Sequence, residues 1–207
     1  MSKLRLAVLI SGGGTNLQAI IDGVEKGYIN GSIDLVISSN RNAYGLKRAE
    51  NHNIPTMIID KSQYPCSEKR QNLIYEVLKA KEVGLVVLAG YLEIISNQLI
   101  EAFKNRIINV HPSLIPSFSG RGFFGDKVHK DAIRRGVKIS GATVHFVNEE
   151  TDGGPIILQK SVEVSYRDEV KDLKEKVLKI EHIILTEAIK LFSEDRIEVV
   201  NNRVRIK

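Results

Sequence analysis

The sequence predicts an α/β fold: a Rossmann-like, mixed and mostly parallel sheet flanked by helices, with a parallel N-terminal half. Three observations predict it. Apolar runs of strand length alternate with segments of helical period through the first half of the chain, the pattern of βαβ units. The first and fourth of these runs are apolar at almost every position, as strands covered on both faces are. Two later runs are joined by a short Gly-rich connection, which favours an antiparallel pair.

Residues 4–10 form the first run and lead into Ser11-Gly12-Gly13-Gly14. Over residues 16–25, Leu17, Ile20, Ile21 and Val24 recur at helical spacing. Residues 33–37 make a second strand, ended by Ser38-Ser39-Asn40, and a helix follows over 43–51. A third strand at 56–59 and a helix at 68–81 precede the fourth strand at 85–88. A short helix after Ser96 leads to a buried strand at 107–110. Pro112 stops that strand because it has no N–H to give to the ladder. Residues 118–127 read as a loop and 131–135 as helix. Strands at 143–147 and 156–164 come next, then the longest helical pattern at 168–192, with Leu173, Val177, Ile180 and Ile184 on one stripe. Segments 197–200 and 204–206, around Asn201-Asn202, predict a terminal hairpin. Nothing reads as a linker or repeat, so a single domain over 1–207 is expected.

Of the 207 residues, 43% are hydrophobic and 27% charged, the balance of an ordinary globular protein with a sizeable core. No apolar run approaches the length of about 20 residues that a membrane helix needs. The start, Met1 to Leu6, reads as a first strand rather than a signal peptide. One cysteine, Cys66, excludes an internal disulfide and fits a reducing cytoplasm; it has no obvious activating partner. The net charge of +5 comes without a dense basic block or interleaved aromatics, so nucleic acid is not an expected partner. A mild positive field suits small anionic substrates.

Asn109-Val110-His111 carries the sharpest chemical signal. In a strand, residues i and i+2 share a face, so Asn109 and His111 project side by side at its end. An amide and an imidazole so placed suit a polarised carbonyl oxygen. Asp152, in the turn Thr151-Asp152-Gly153-Gly154-Pro155, is expected to approach the histidine. The bland alternative is that such a pair only ties strand ends together.

The glycine loop joins the first strand to the first helix, where backbone N–H groups and the helix dipole favour an anion. Thr15 or Asn16 is placed to cap the helix and to donate to a phosphate. Leu17 stands where a third glycine of a dinucleotide fingerprint would be, and no acidic residue ends the second strand. The loop also lacks the lysine of a P-loop. A single phosphomonoester therefore fits better than a dinucleotide, and a turn that binds nothing is the alternative. On spacing alone Glu181 reads as a solvated helix residue and His145 as a structural histidine. His52 and His129 lie in polar, surface-like segments. No His, Cys or carboxylate cluster has metal-ligand spacing.

Five blocks in series carry a resemblance: Ser11-Gly-Gly-Gly-Thr-Asn-Leu, Leu88-Ala-Gly-Tyr, Asn109-Val-His-Pro-Ser-Leu-Ile-Pro, Thr143-Val-His-Phe-Val and Asp152-Gly-Gly-Pro. Their order resembles the phosphoribosylglycinamide formyltransferase family, over nearly the whole chain. The resemblance implies formyl transfer from N10-formyltetrahydrofolate to the amine of glycinamide ribonucleotide, without a metal. It implies that Gly14, Thr15 and Asn16 hold the ribonucleotide phosphate and that Glu181 meets the glycinamide end. The pterin is expected against Leu92, Glu93, Ile94 and Ile95, beside Asn109, and along Asn148, Glu149, Glu150, Thr151 and Asp152. Asn109, His111 and Asp152 correspond to the catalytic trio, with Asp152 supporting a protonated His111.

Two departures stand out. Many relatives carry a basic residue where Glu93 stands. Many also carry an Arg near Cys66 that meets the folate tail; here Lys69 or Arg70 would have to replace it. The segment 119–127 is longer than in many relatives and reads as a lid or a surface insertion. Small-molecule substrates are expected, with the chain a monomer or homodimer. Methionyl-tRNA formyltransferase and formyltetrahydrofolate deformylase share the trio but normally carry a second domain. A non-catalytic nucleotide-binding module is the alternative of another class.

Overall fold

The computed structural model describes residues 3–207. Met1 and Ser2, on which the reading of the N-terminus partly rests, lie outside the described residues. The chain divides into two compact units, one running through Ile108 and one from Asn109 to Lys207.

In the first unit, β1 (Leu4–Ile10), β2 (Gly31–Ser38), β3 (Thr56–Ile58) and β4 (Leu85–Leu88) pair in the order β3-β2-β1-β4. All three pairings are parallel. Leu6 to Ile10 are fully buried, which explains why β1 reads as an almost continuous apolar run after Arg5. Helices α1 (Thr15–Glu25), α2 (Tyr44–Asn51), α3 (Ser67–Ala80) and α4 (Asn97–Ala102) fill the connections. The apolar stripe of α1 is buried through Leu17, Ile20 and Ile21. The Ser96 side chain caps α4 by accepting from the Leu99 N–H.

β5 (Ile107–His111) stops one residue before Pro112, as the missing N–H requires. In the second unit it is followed by α5 (Asp126–Arg135), β6 (Ile139–Phe146), β7 (Ile156–Glu163) and α6 (Val170–Ser193). The β6–β7 pair is antiparallel, from Ile139 opposite Glu163 to His145 opposite Ile156. α6 opens on a reciprocal capping box between Glu169 and Asp172. β8 (Ile197–Val200) and β9 (Arg203–Ile206) form the expected hairpin.

Two elements differ from the sequence reading. β6 begins four residues before Thr143, because Gly141 lies where a Cβ would be 2.2 Å from the Lys160 carbonyl oxygen. That glycine belongs to a close strand contact, although in sequence it reads as a break. α5 begins at Asp126, inside the segment expected to be loop, with Asp126 favourably placed in the first turn. Among the described residues, no helix is long and apolar enough to cross a membrane.

Candidate active site

The trio converges within the second unit. His111 ends β5 with 5% of its surface exposed, and its Nδ1 lies 3.5 Å from Oδ2 of Asp152. Its Nε2 donates to the Phe118 carbonyl at 2.9 Å. Phe118 has φ +51, a left-handed conformation that is unusual for a bulky residue, so its carbonyl is held in place at some backbone cost. Asp152 also adopts positive φ, which Asp tolerates better than most, and its Oδ2 accepts the Gly120 N–H at 2.8 Å. Gly154, two residues on, has no alternative: a Cβ there would lie 1.9 Å from the Phe146 carbonyl oxygen.

The segment after His111 is tied from β6 and β7. Thr143 Oγ1 donates to the Ser113 carbonyl at 2.7 Å and accepts the Ile115 N–H at 3.1 Å. Gln159 donates to the Ile115 carbonyl at 3.0 Å. These bonds fix the turn that leads the chain away from β5 just after the histidine.

Sequence reasoning missed His145 as part of this cluster. It is 2% exposed, its Nε2 lies 3.2 Å from Asn109 Nδ2, and the same nitrogen is 3.7 Å from Asp152 Oδ1. No local signal marks it, because β6 alone reads as an alternating strand; its site role comes from a neighbouring strand. Also unread was the terminal hairpin's approach to Asp152. An open pocket of about 620 Å³ is lined by Ser119, Gly120, Asp152, Gly154 and the hairpin residues Asn202 and Arg203.

The electrostatics oppose one another. Burial pushes the His111 pKa down, Asp152 and the Phe118 carbonyl pull it up, and the net direction is down. Asp152 acts in the sense expected for supporting a protonated His111, while desolvation of the charged ring opposes it and sets the net direction. Burial pushes Asp152 up, but the rings of His145 and His111 and the Gly120 N–H together hold it below its ordinary value. Asp152 is thus the anion of the cluster. His129 on α5 is also corrected, from surface to buried at 3% exposure. Its pKa falls to about 4, mainly through burial and then through Lys174.

In the first unit, Gly14 rather than Thr15 or Asn16 caps α1, in the left-handed conformation and without a side-chain cap bond. Gly45 explains the glycine: a Cβ on Gly14 would be 2.6 Å from the Gly45 Cα. Arg48 of α2 donates from Nε to the Gly13 carbonyl at 2.9 Å, a cation at the loop that the sequence did not flag. Leu92 and Ile94 are 64% and 73% exposed, whereas Ile95 is buried in the core. Glu93 is not directed to a ligand. Its Oε2 takes the Arg70 Nε–H at 2.9 Å, and Arg70 also donates to the Tyr64 and Pro65 carbonyls. Arg70 is therefore no replacement for a tail-binding arginine, while Lys69 is exposed.

In the second unit, Glu181 of α6 is 9% exposed, so the solvated reading is corrected. Asn148 accepts the Glu150 N–H at 3.1 Å and shapes the turn, in which Glu149, Glu150 and Thr151 are exposed. Among the described residues, no group of three His, Cys, Asp or Glu is placed to hold a metal.

A sequence profile described as formyl transferase matches residues 4–189, spanning β1, the trio and most of α6. The chain belongs to the formyl transferase family. The formyltransferase is 38% identical to the chloroplastic phosphoribosylglycinamide formyltransferase of Arabidopsis thaliana, over 95% of this chain and 68% of that one. It superposes on glycinamide ribonucleotide transformylase 1 from Symbiobacterium toebii with a TM-score of 0.93 at 44% identity, covering 99% and 94% of the two chains. A formyltetrahydrofolate deformylase from Pseudomonas syringae also matches, at 29% identity and TM-score 0.90, covering 99% of this formyltransferase and 66% of that chain. The chain spans 62% of another plant relative and 19% of a trifunctional one.

Proposed function

We propose that the chain transfers the formyl group of N10-formyltetrahydrofolate to the primary amine of glycinamide ribonucleotide. The observation that carries this reading is the convergence of Asn109, His111 and Asp152 around the buried His145, in a chain that resembles phosphoribosylglycinamide formyltransferases over nearly its whole length.

The reaction joins the amine nitrogen to the formyl carbon and breaks the bond from that carbon to N10, so negative charge develops on the formyl oxygen. The Asn109 amide and the His111 Nε2–H are the donors assigned to that oxygen. The histidine donor is available once the Phe118 carbonyl gives way. A donor of this kind is typically worth about 3–4 kcal/mol in the transition state. The amine proton must end on N10. His111 Nδ1, facing Asp152, is the base assigned to carry it, and the carboxylate stabilises the imidazolium so formed. Only the neutral form of the ring can accept the proton, and burial shifts the ring towards that form. No side-chain nucleophile is needed.

We assign the substrate phosphate to the N–H groups of Gly14, Thr15 and Asn16, and the glycinamide end to Glu181. The exposed Leu92 and Ile94 supply apolar surface for the pterin, with Asn109 and the Asn148–Asp152 backbone for its polar edge. The substrates are small molecules and no nucleic acid takes part. The exposed free thiol of Cys66 fits a reducing cytoplasm. A monomer or homodimer serves this chemistry equally.

One assay tests the reading: purified protein with N10-formyltetrahydrofolate and, in separate arms, glycinamide ribonucleotide, water alone or initiator methionyl-tRNA. Formylated ribonucleotide is expected. Formate release or formylated tRNA, without formylated ribonucleotide at saturating substrate, overturns it.

A further inference from the structure

We propose that His145 is a positioning residue for the transfer, fixing which way the Asn109 amide faces. The inference rests on the reading of Asn109 as a donor to the formyl oxygen. It comes from the hydrogen-bonding inventory of the buried His145 and the half-buried Asn109.

His145 Nδ1 lies 2.8 Å from the carbonyl oxygen of Phe146. A carbonyl only accepts, so Nδ1 carries the proton. In the neutral ring Nε2 then has a lone pair, and the atom 3.2 Å away is the nitrogen of the Asn109 amide. Nδ2 donates one of its two hydrogens there, which settles the orientation of a side chain that is otherwise free to turn by half a revolution. The second hydrogen points about 120° away and is the one left for a substrate oxygen. Turned the other way, Asn109 would present Oδ1 to His145 and lose that anchor. It would also offer an acceptor where the reaction needs a donor.

The arrangement has a second support. Asp152 Oδ1 is 3.7 Å from the same Nε2, beyond hydrogen-bond reach. His145 is thus held on one side by its own strand and holds the amide on the other. At 2% exposure, water has little access with which to replace it. The histidine touches neither reacting group, and its effect passes through Asn109.

Two substitutions separate the nitrogens. Gln reaches as far as Nε2 and keeps an acceptor for Asn109, whereas Asn reaches only as far as Nδ1 and keeps no such acceptor. His145→Asn is expected to lower kcat by about 10- to 100-fold with both KM values within about threefold, as loss of an aligned oxyanion donor does. His145→Gln is expected to restore most of that loss. In an Asn109→Ala background, His145→Asn is expected to cost less than about threefold, because the group it positions is gone. Thermal unfolding of each variant checks folding, and His145→Ala, which also removes the acceptor, provides the same cycle in both backgrounds if the Asn variant does not fold. Equal losses in the two backgrounds, indistinguishable Asn and Gln variants, or no loss at all overturn the proposal. Near-normal turnover in Asn109→Ala alone instead removes the donor reading on which it rests.

Discussion

Nδ1 of His111 lies 3.5 Å from Oδ2 of Asp152, with side-chain exposures of only 6% and 10%. At that depth two effects compete on the imidazole: desolvation lowers its pKa and the carboxylate raises it. Replacing Asp152 by Asn leaves the first without the second. The His111 pKa, followed by NMR titration of its ring, is therefore expected to drop further below its ordinary value. The kcat is expected to fall by about 10²- to 10⁴-fold, the usual scale for a lost acid–base function. A His111 pKa that rises in the variant, or turnover near normal in a folded protein, removes Asp152 from the role.

The parts of this fold that were legible are those whose physics is local. β4 and β1 from Leu6 onward announce themselves because both faces are buried, leaving no polar position inside those runs. Asn109 and His111 could be placed on one face because strand period and the Pro112 stop need no partner. The illegible parts depend on distant neighbours. Gly141 looks like a break until Lys160 is seen against it, and His145 looks structural until Asn109 lies beside it. Arg70 looks like a free surface cation because its partner, Glu93, is 23 residues away. Glu181 and His129 sit in charged helix sequence, and only packing shows which face is covered.

Gly14 tests the close packing of the phosphate loop. It combines φ +69 with a backbone neighbour 2.6 Å from any added Cβ. Gly14→Ala should cost about 2–4 kcal/mol, from left-handed strain and overpacking together. Gly13 is the control, since an added Cβ there meets nothing within 4 Å. Urea unfolding of the two variants measures the contrast. Equal stability for both would show that the loop relaxes freely.

Arg70 and Glu93 form a buried pair whose side chains are 4% and 10% exposed. Removing one partner strands the other charge, which typically costs about 3–5 kcal/mol. Glu93→Ala is expected in that range, whereas Arg70→Met with Glu93→Leu should recover much of it. Because Arg70 is committed to this pair, the single Arg70→Met variant should leave the KM dependence on the length of the folate glutamate tail unchanged. A tail preference abolished by Arg70→Met would show that the guanidinium reaches the ligand after all.

His129 makes the stability of the protein depend on pH in a definite window. Its pKa falls from the ordinary 6.5 to about 4, chiefly because burial penalises the charged ring, with Lys174 adding repulsion and Asp126 a smaller attraction. No hydrogen-bond partner reaches its Nδ1, so only the weaker attraction of Asp126 offsets the cost of charging it. The unfolded chain therefore takes up the proton first. The contribution is complete above pH 6.5, is lost as the pH falls towards about 4, and changes no further below that. Its size is on the order of 3 kcal/mol, from about 1.4 kcal/mol for each pH unit of difference. His111, also lowered by burial, adds in the same sense. Asp126, held below its ordinary 3.8 by Lys174, adds in the same sense only near the pH 4 end, where the unfolded carboxyl begins to take up its proton. Urea unfolding of wild type and His129→Gln at pH 4, 5, 6 and 7 is expected to give a steep slope in the first and a shallower one, from His111, in the second. A slope that survives the substitution unchanged would place the acid sensitivity elsewhere in the chain.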